Sequence, residues 1–132
     1  MRIVIDTSAI LSVVLGEPHR DVLIEMAHGA ELLAPPSVHW EITNALTAML
    51  KRKRITLSDG LKALEIYSRI PIRYTETELD ESLKIAAAQD IYADDAYVIR
   101  CGIKYGGPIL TLDRGLVRAA AASGAEILEV TP

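Results

Sequence analysis

Short apolar runs rich in β-branched residues alternate with stretches of helical periodicity, and this alternation constrains the fold more than any other feature. The runs are "RIVI" at 2–5, "ELLA" at 31–34, "PIRYT" at 71–75, "ILTL" at 109–112 and "EILEV" at 126–130. Nearly continuous apolar strands separated by helices are typical of a parallel sheet that is covered on both faces. The sequence therefore predicts an α/β fold with a central parallel β-sheet flanked by helices on both faces.

The segments between these runs show the apolar spacing and the terminating residues of helices. The predicted helices cover 7–15, 20–27, 37–52, 57–70, 78–89, 93–104 and 114–123. Ser37 and Ser58 are candidate N-cap residues for the third and fourth of these helices. Because no linker, repeat or low-complexity tract interrupts the pattern, we expect one domain over residues 1–132.

Composition and charge narrow the functional classes. Hydrophobic residues make up 50% of the chain and charged residues 24%, and the longest apolar runs fall far short of the ~20 residues that span a bilayer. The early Asp6 and the lack of a cleavage pattern argue against a signal peptide, so we expect a cytoplasmic protein without a membrane anchor. Cys101 is the single cysteine, which excludes an intrachain disulfide framework, and its apolar neighbours predict a buried thiol. The net charge of −4 disfavours simple electrostatic binding of nucleic acid unless cations complete the site.

Two aspartates directly follow predicted strands. Asp6 comes after "RIVI" and Asp113 after "ILTL". Ligands of open parallel α/β sheets bind outside the carboxyl ends of the strands, which favours a functional role for both. Each aspartate also precedes a predicted helix, where a carboxylate serves equally well as an N-cap. Both interpretations remain open for each residue taken alone.

Glu41 is a third candidate acid. It lies roughly 60° from Val38 around the third helix, at about 100° per residue, and so at the edge of the apolar stripe. An acid at that edge fits the rim of a cleft, and it equally fits a solvated glutamate beside the stripe.

The stretch "IYADDAYVIR" contains two adjacent aspartates, Asp94 and Asp95. Side chains of adjacent helical residues point about 100° apart, so the two cannot serve one point equally. If the helix begins near Ala93, one of them can cap it while the other projects into the cleft. The apolar spacing that follows favours Asp95 as the acid on the packed side.

A cluster of carboxylates is unfavourable unless a cation offsets the mutual repulsion. All-oxygen ligands suit Mg²⁺ or Mn²⁺, which activate water and stabilise a leaving oxygen in phosphodiester hydrolysis. His19, His28 and His39 show no metal-ligand spacing, and we expect them to have surface or packing roles. The spacing of the acids leaves open whether they converge.

Four motifs together carry a resemblance to a known family. In order, "VIDTSAIL", "SVHWEITNAL", "ADDAYVIRCG" and "ILTLDRGL" resemble the PIN domain, and the length and order are similar to those of the VapC toxins of bacterial and archaeal toxin–antitoxin pairs. The resemblance spans residues 2–130. It implies a toxin that is a Mg²⁺-dependent endoribonuclease, in which Mn²⁺ can substitute. The catalytic and metal-binding acids that it implies are Asp6, Glu41, Asp95 and Asp113.

The resemblance also selects between the adjacent aspartates. The third acid of the family precedes an alanine and a large apolar or aromatic residue, and here Asp95 precedes Ala96 and Tyr97. Asp94 then becomes a helix cap or a helper of the site. Further supporting roles fall to the hydroxyls of Ser8 and Thr111 and to the amide of Asn44.

The same resemblance implies partners. VapC-like proteins form homodimers and are inhibited by a cognate VapB-like antitoxin, whose chain crosses the acidic cleft. RNA is the implied substrate. The only basic block is "KRKR", formed by Lys51, Arg52, Lys53 and Arg54. It is either a solvated helix end or a contact for RNA phosphate.

Three alternatives compete with the nuclease. The first is a catalytically silent PIN-like module that binds RNA or protein, which retention of all four acids disfavours. A receiver domain would carry an aspartate at the end of the third strand, where Thr75 and Glu76 stand. A dinucleotide-binding domain would need a glycine-rich first turn, and "DTSAIL" has no glycine.

Overall fold

The computed structural model describes residues 1–130, so the last two residues of the predicted domain lie outside the described part. In chain order the elements are β1 (Arg2–Ile5), α1 (Thr7–Val14), α2 (Arg20–Ala27), β2 (Glu31–Ala34), α3 (Ser37–Lys51), α4 (Leu57–Ser68), β3 (Ile72–Tyr74), α5 (Leu79–Gln89), α6 (Ala93–Tyr105), β4 (Ile109–Leu110), α7 (Arg114–Ala122) and β5 (Ile127–Leu128). Within residues 1–130, none of the helices has the length and apolar character that crossing a membrane requires.

The five strands form one parallel sheet in the order β3-β2-β1-β4-β5. Ile3 and Val4 are adjacent in β1 and so point to opposite faces, yet both are 0% exposed. Both faces of the central strands are therefore covered, which confirms the predicted α/β fold.

The strand order creates a switch point between β1 and β4. From β1 the chain moves outward through β2 and β3, and it then returns to the other side of β1 for β4 and β5. At such a point the connections diverge and leave a crevice at the carboxyl ends of the two central strands. The residues that follow β1 and β4 lie at this crevice.

Close packing fixes α6 beside the switch point. A Cβ on Gly102 would lie 3.0 Å from the Ile109 side chain, so glycine lets α6 approach β4 closely. Cys101, on the same turn of α6, is buried as predicted. The first turn of α6, which carries the paired aspartates, is held in place by this contact.

Two predicted N-caps are wrong. The N-cap of α3 is Pro36, which already has helical angles, so Ser37 becomes the first helical residue and its side chain makes no cap bond. The N-cap of α4 is Thr56 rather than Ser58, and it forms a reciprocal capping box with Asp59. In both helices the turn begins before the serine, which places the serine inside the first turn.

Candidate functional site

Asp6 lies at the end of β1 and is both an N-cap and a buried acid. Its Oδ1 accepts a hydrogen bond of 3.1 Å from the Ala9 backbone N–H, which caps α1, and the residue is only 6% exposed. Burial raises the pKa of Asp6, and hydrogen bonds from Thr111, Ala9 and Ser8 oppose that effect. Asp6 can therefore be an N-cap of α1 and a functional acid at the same time.

Two hydroxyls join the ends of β1 and β4 around this carboxylate. Ser8 Oγ donates to Asp6 Oδ1 at 2.8 Å, and Thr111 Oγ1 donates to Asp6 Oδ2 at 2.6 Å. The backbone N–H of Leu112 donates to Ser8 Oγ at 3.0 Å, and that of Asp113 donates to Thr111 Oγ1 at 3.0 Å. Both hydroxyls thus orient the Asp6 carboxylate, and both accept hydrogen bonds from backbone N–H groups of the β4–α7 connection. These bonds fix the position of Asp113 relative to Asp6.

Asp113 follows the end of β4 and caps α7. Its Oδ1 accepts hydrogen bonds from the backbone N–H groups of Gly115 at 2.8 Å and Leu116 at 3.2 Å. The Asp113 side chain is exposed. Its negative charge raises the pKa of both Asp6 and Asp95.

Glu41 reaches the same crevice from the second turn of α3. Thr7 Oγ1 donates to Glu41 Oε2 at 2.7 Å, across 34 residues of sequence. Glu41 Oε1 is buried and has no hydrogen-bond partner within residues 1–130. Burial raises the pKa of Glu41, with smaller contributions from the charges of Asp94 and Asp6, while the hydroxyls of Thr7 and Ser37 act in the opposite direction. Because the Ser37 hydroxyl also has no partner within residues 1–130, either this hydroxyl or a cationic ligand can satisfy Oε1.

The two aspartates of α6 differ in exposure. Neither is the N-cap, because that position is Tyr92 and makes no side-chain cap bond. The prediction that one of them caps the helix is therefore wrong: both already lie in its first turn. Asp94 is exposed and Asp95 is half-buried. Burial raises the pKa of Asp95, and the charges of Asp113 and Asp94 raise it further.

Mutual repulsion links all of these acids. The charge of Asp113 acts on Asp6 and on Asp95, and the charge of Asp94 acts on Asp95 and on Glu41. Coulombic effects of this kind act at short range. Hydrogen bonds link Asp6 to the connection that carries Asp113 and link Glu41 to Thr7, and the charges of Asp113 and Asp94 act on Asp95, so the four motif acids lie on one side of the molecule near the switch point.

The chemistry of these residues fits a hard divalent cation. As the side chains stand, no three histidine, cysteine, aspartate or glutamate residues within 1–130 are arranged to hold a metal ion. The available donors are nonetheless all carboxylate oxygens, and one of them, Glu41 Oε1, is buried without a partner. A cation would relieve the repulsion that contributes to the raised pKa values of Asp6, Glu41 and Asp95.

Other residues singled out by sequence lie away from the cluster. Asn44 is exposed on α3, one turn after Glu41. The basic run 51–54 is also exposed and closes the far end of α3, about 15 Å along the helix axis from Glu41. Arg54 instead lines a cavity of about 530 Å³ between the C-terminal ends of α1 and α3 and the helix α4. None of the clustered acids lines that cavity.

Sequence reasoning missed the bond between Thr7 and Glu41. Nothing in the spacing predicts which residue of α3 the Thr7 hydroxyl contacts. The signal that could have suggested a contact is the position of Thr7 directly after Asp6, at the carboxyl end of a strand.

Comparisons with known proteins identify the family. The PIN domain family matches residues 3–122, so the chain belongs to the PIN domain family. PIN domains are typically nucleases, and membership therefore supports an enzyme of the nuclease type. A comparison with curated proteins found no match.

Solved structures share the fold. PAE2754 from Pyrobaculum aerophilum superimposes with a TM-score of 0.70 at 21% identity, over 90% of this chain and 87% of that one. VapC20 from Mycobacterium tuberculosis, a toxin that cleaves the sarcin–ricin loop, gives 0.67 at 16% identity, over 98% of this chain and 99% of that one. A domain of a functionally unknown protein from Methanocaldococcus jannaschii gives 0.53 at 21% identity, over 99% and 93% of the two chains.

Proposed function

We propose that this protein is a Mg²⁺-dependent endoribonuclease, also active with Mn²⁺, that hydrolyses RNA phosphodiester bonds with Asp6, Glu41, Asp95 and Asp113. The observation that carries the proposal is the meeting of these four acids at the switch point between β1 and β4. Ligands of open α/β sheets bind at that place. Membership of the PIN domain family supports the same reaction type.

In this proposal the chain holds the cation and orients its ligands. Asp6, Asp95 and Asp113 hold the ion, and Glu41 assists through its unpartnered Oε1. A bound divalent cation supplies Lewis-acid activation of water and stabilises the departing oxygen. Ser8 and Thr111 keep the Asp6 carboxylate in one rotamer through their hydroxyl donors, and such outer contacts set ligand orientation.

Thr7 orients the Glu41 carboxylate in the same way. Its hydroxyl donates to Oε2, while Oε1 is buried and has no hydrogen-bond partner within residues 1–130. The raised pKa values of Asp6, Glu41 and Asp95 mean that protons compete with a cation for these carboxylates. Asp94, which is exposed, contributes charge to the crevice and is proposed to support Asp95 rather than to ligate the ion.

We further propose that the protein is a cytoplasmic homodimeric toxin that a VapB-like antitoxin inhibits. Support comes from the motif resemblance to VapC toxins and from the shared fold of VapC20 over 98% of this chain. The alternative is a PIN module that binds RNA or protein without cutting. Retention of all four acids, with their hydroxyl supports in place, favours the nuclease over that alternative.

Cleavage of total cellular RNA, ribosomal RNA included, tests the proposal. The purified protein is incubated with Mn²⁺ or with a chelator, and the new ends are mapped by sequencing. Wild type is compared with Asp95→Asn and with Asp21→Asn, a change at an α2 side chain that is 96% exposed. We expect discrete cuts for wild type and Asp21→Asn that disappear with chelator and with Asp95→Asn. Cuts that persist in Asp95→Asn, or no cuts by wild type, would contradict the proposal.

A further inference from the structure

A second cavity opens directly beside the acidic cluster. It has a volume of about 360 Å³ and lies between the ends of β4 and β5, the first turns of α7 and the residue before α2. We name it the β4–β5 cavity, and the lining residues used below include His19, Thr111, Leu112, Arg114, Val117 and Ile127. Thr111 is shared with the site, because its hydroxyl donates to Asp6 at 2.6 Å.

The walls of the β4–β5 cavity combine two chemistries. Leu112, Val117 and Ile127 supply apolar surface, Arg114 and His19 supply a guanidinium and an imidazole, and Glu129 adds one carboxylate. β5 is the outermost strand on this side of the sheet, so one edge of its backbone faces away from β4. A planar base on apolar walls, with a phosphate on arginine, matches this combination. The volume also falls within the ~300–1,000 Å³ usual for small-ligand pockets.

The charge distribution favours a cation that contacts the RNA phosphate near the acids. The chain has a net charge of −4, and its candidate site is a cluster of acids that repels a phosphate backbone. The basic run 51–54 lies about 15 Å away along α3. Arg114 directly follows Asp113 in sequence and lines the β4–β5 cavity, and the Arg118 side chain on the next turn of α7 extends back toward Asp113.

We propose that the β4–β5 cavity holds one nucleotide of the RNA strand next to the phosphodiester that is cut. Arg114 contacts its phosphate, His19 hydrogen-bonds to it, and the apolar wall around Val117 holds the base. This inference rests on the proposed endoribonuclease function and adds a subsite to it. None of the four acids lines either cavity, but Thr111, which donates to Asp6, lines the β4–β5 cavity, whereas the cavity of about 530 Å³ has no residue that is hydrogen-bonded to the acids.

Two variants separate the base contact from the phosphate contact. Val117→Trp fills the cavity without changing charge, and Arg114→Ala removes the cation. Arg69→Ala is the matched control for charge, because Arg69 is exposed before β3, at the opposite edge of the sheet, and does not line the cavity. Val117→Ala is the control for substitution at position 117. Thermal melts establish that each variant is folded.

Binding is measured first, in chelator, by fluorescence anisotropy with a short single-stranded RNA of random sequence. We expect Val117→Trp and Arg114→Ala each to weaken binding roughly fivefold or more, and Arg69→Ala by less than about twofold. The slope of log affinity against log salt should become shallower by ~0.7 for Arg114→Ala and stay unchanged for Val117→Trp.

Cleavage of the same RNA with Mn²⁺ is then mapped at nucleotide resolution. Wild type should favour certain bases at one position beside the cut, and Val117→Trp should flatten that preference. Wild-type binding and cut-site preference in Val117→Trp would overturn the inference, as would equal losses for Arg114→Ala and Arg69→Ala. If Val117→Trp does not fold, the comparison of the two arginine variants decides. An RNA that binds in the expected pattern but is not cut by wild type would overturn the nuclease function and leave the subsite intact.

Discussion

The Asp113 carboxylate, which follows β4 by three residues, both caps α7 and adds negative charge to the acidic cluster. Its Oδ1 caps α7 through Gly115 and Leu116, while its charge raises the pKa of Asp6 and Asp95. Asp6 has the same double position at the start of α1. A residue that caps a helix at a switch point is held in one rotamer, which prepares its remaining oxygen for a ligand.

Substitutions at Asp113 should separate these two tasks. Because asparagine caps helices as well as aspartate does, Asp113→Asn should change the free energy of unfolding by less than about 0.5 kcal/mol in chelator, whereas Asp113→Ala should cost about 0.5–2 kcal/mol. Both should lose RNA cleavage. Urea denaturation and a cleavage assay on the same preparations make the comparison. A large loss of stability in Asp113→Asn would show that the charge itself holds the fold.

The adjacent acids of α6 should differ in their effect on cleavage. Asp95 is half-buried among the cluster and Asp94 is exposed. Asp95→Asn should therefore lower the single-turnover rate at least ~100-fold, because a proposed ligand of the ion is lost, while Asp94→Asn leaves most of the rate. Similar losses in the two variants would contradict the assignment of Asp95.

At the scale of elements, an ion-pair network connects the start of α5 to α6. Glu78 accepts from Arg100 Nε at 2.9 Å and from Lys104 Nζ at 2.7 Å. These two partners lower the pKa of Glu78 from 4.5 to about 2. The network braces the helix whose first turn carries Asp94 and Asp95.

The lowered pKa of Glu78 sets the sign of a pH effect on stability. A depressed carboxyl pKa stabilises the fold above the ordinary value of 4.5, and that contribution is lost as the pH falls toward about 2. Glu78→Gln should therefore melt a few degrees lower than wild type at neutral pH, and the difference should shrink on acidification. Thermal melts across this range test it. A difference that is constant with pH would mean that the substitution disturbs packing rather than charge.

Most elements could be predicted from the sequence, because short apolar runs that alternate with segments of helical periodicity are typical of a parallel sheet covered by helices. The strands at 2–5 and 31–34 and the helix at 20–27 have the predicted bounds. β3, β4 and β5 are shorter than predicted, and the end of the predicted fourth strand instead forms the connection to α7 that carries Thr111 and Asp113. The caps at Ser37 and Ser58 were wrong because the first turn began one or two residues earlier, where Pro36 and Thr56 have suitable conformations.

The candidate site was less predictable than the fold. Positions after strands pointed to Asp6 and Asp113, since topology brings strand ends together. The contact of Glu41 with Thr7 depends on how α3 packs against α1, and periodicity carries no information about that. The roles of the four acids remain predictions, although their convergence is a property of the structure.

At the scale of the whole molecule, the clustered carboxylates repel one another, and a bound cation would offset this repulsion. Burial and repulsion raise the pKa of Asp6, Glu41 and Asp95, so in the metal-free protein these groups reduce stability as the pH rises through their folded-state pKa values. Mn²⁺ that binds only the folded state adds about 2.7 kcal/mol at a hundred times its Kd.

Mn²⁺ should therefore raise the melting temperature of wild type more at pH 7.5 than at pH 5, since protons compete for the same carboxylates. Asp95→Asn should show little or no shift. Differential scanning fluorimetry with Mn²⁺ and with chelator provides the measurement. A shift of equal size in wild type and Asp95→Asn would place the bound ion elsewhere on the molecule.

The central claim is that the acids at the β1–β4 switch point hold a divalent cation. Anomalous diffraction from crystals grown with Mn²⁺ tests it most directly, because the anomalous signal locates the ion without assumptions about activity. We predict a peak among the carboxylates of Asp6, Asp95 and Asp113 that is absent in Asp95→Asn crystals. No peak at this crevice in wild type, or a peak that is unchanged in Asp95→Asn, would contradict the account.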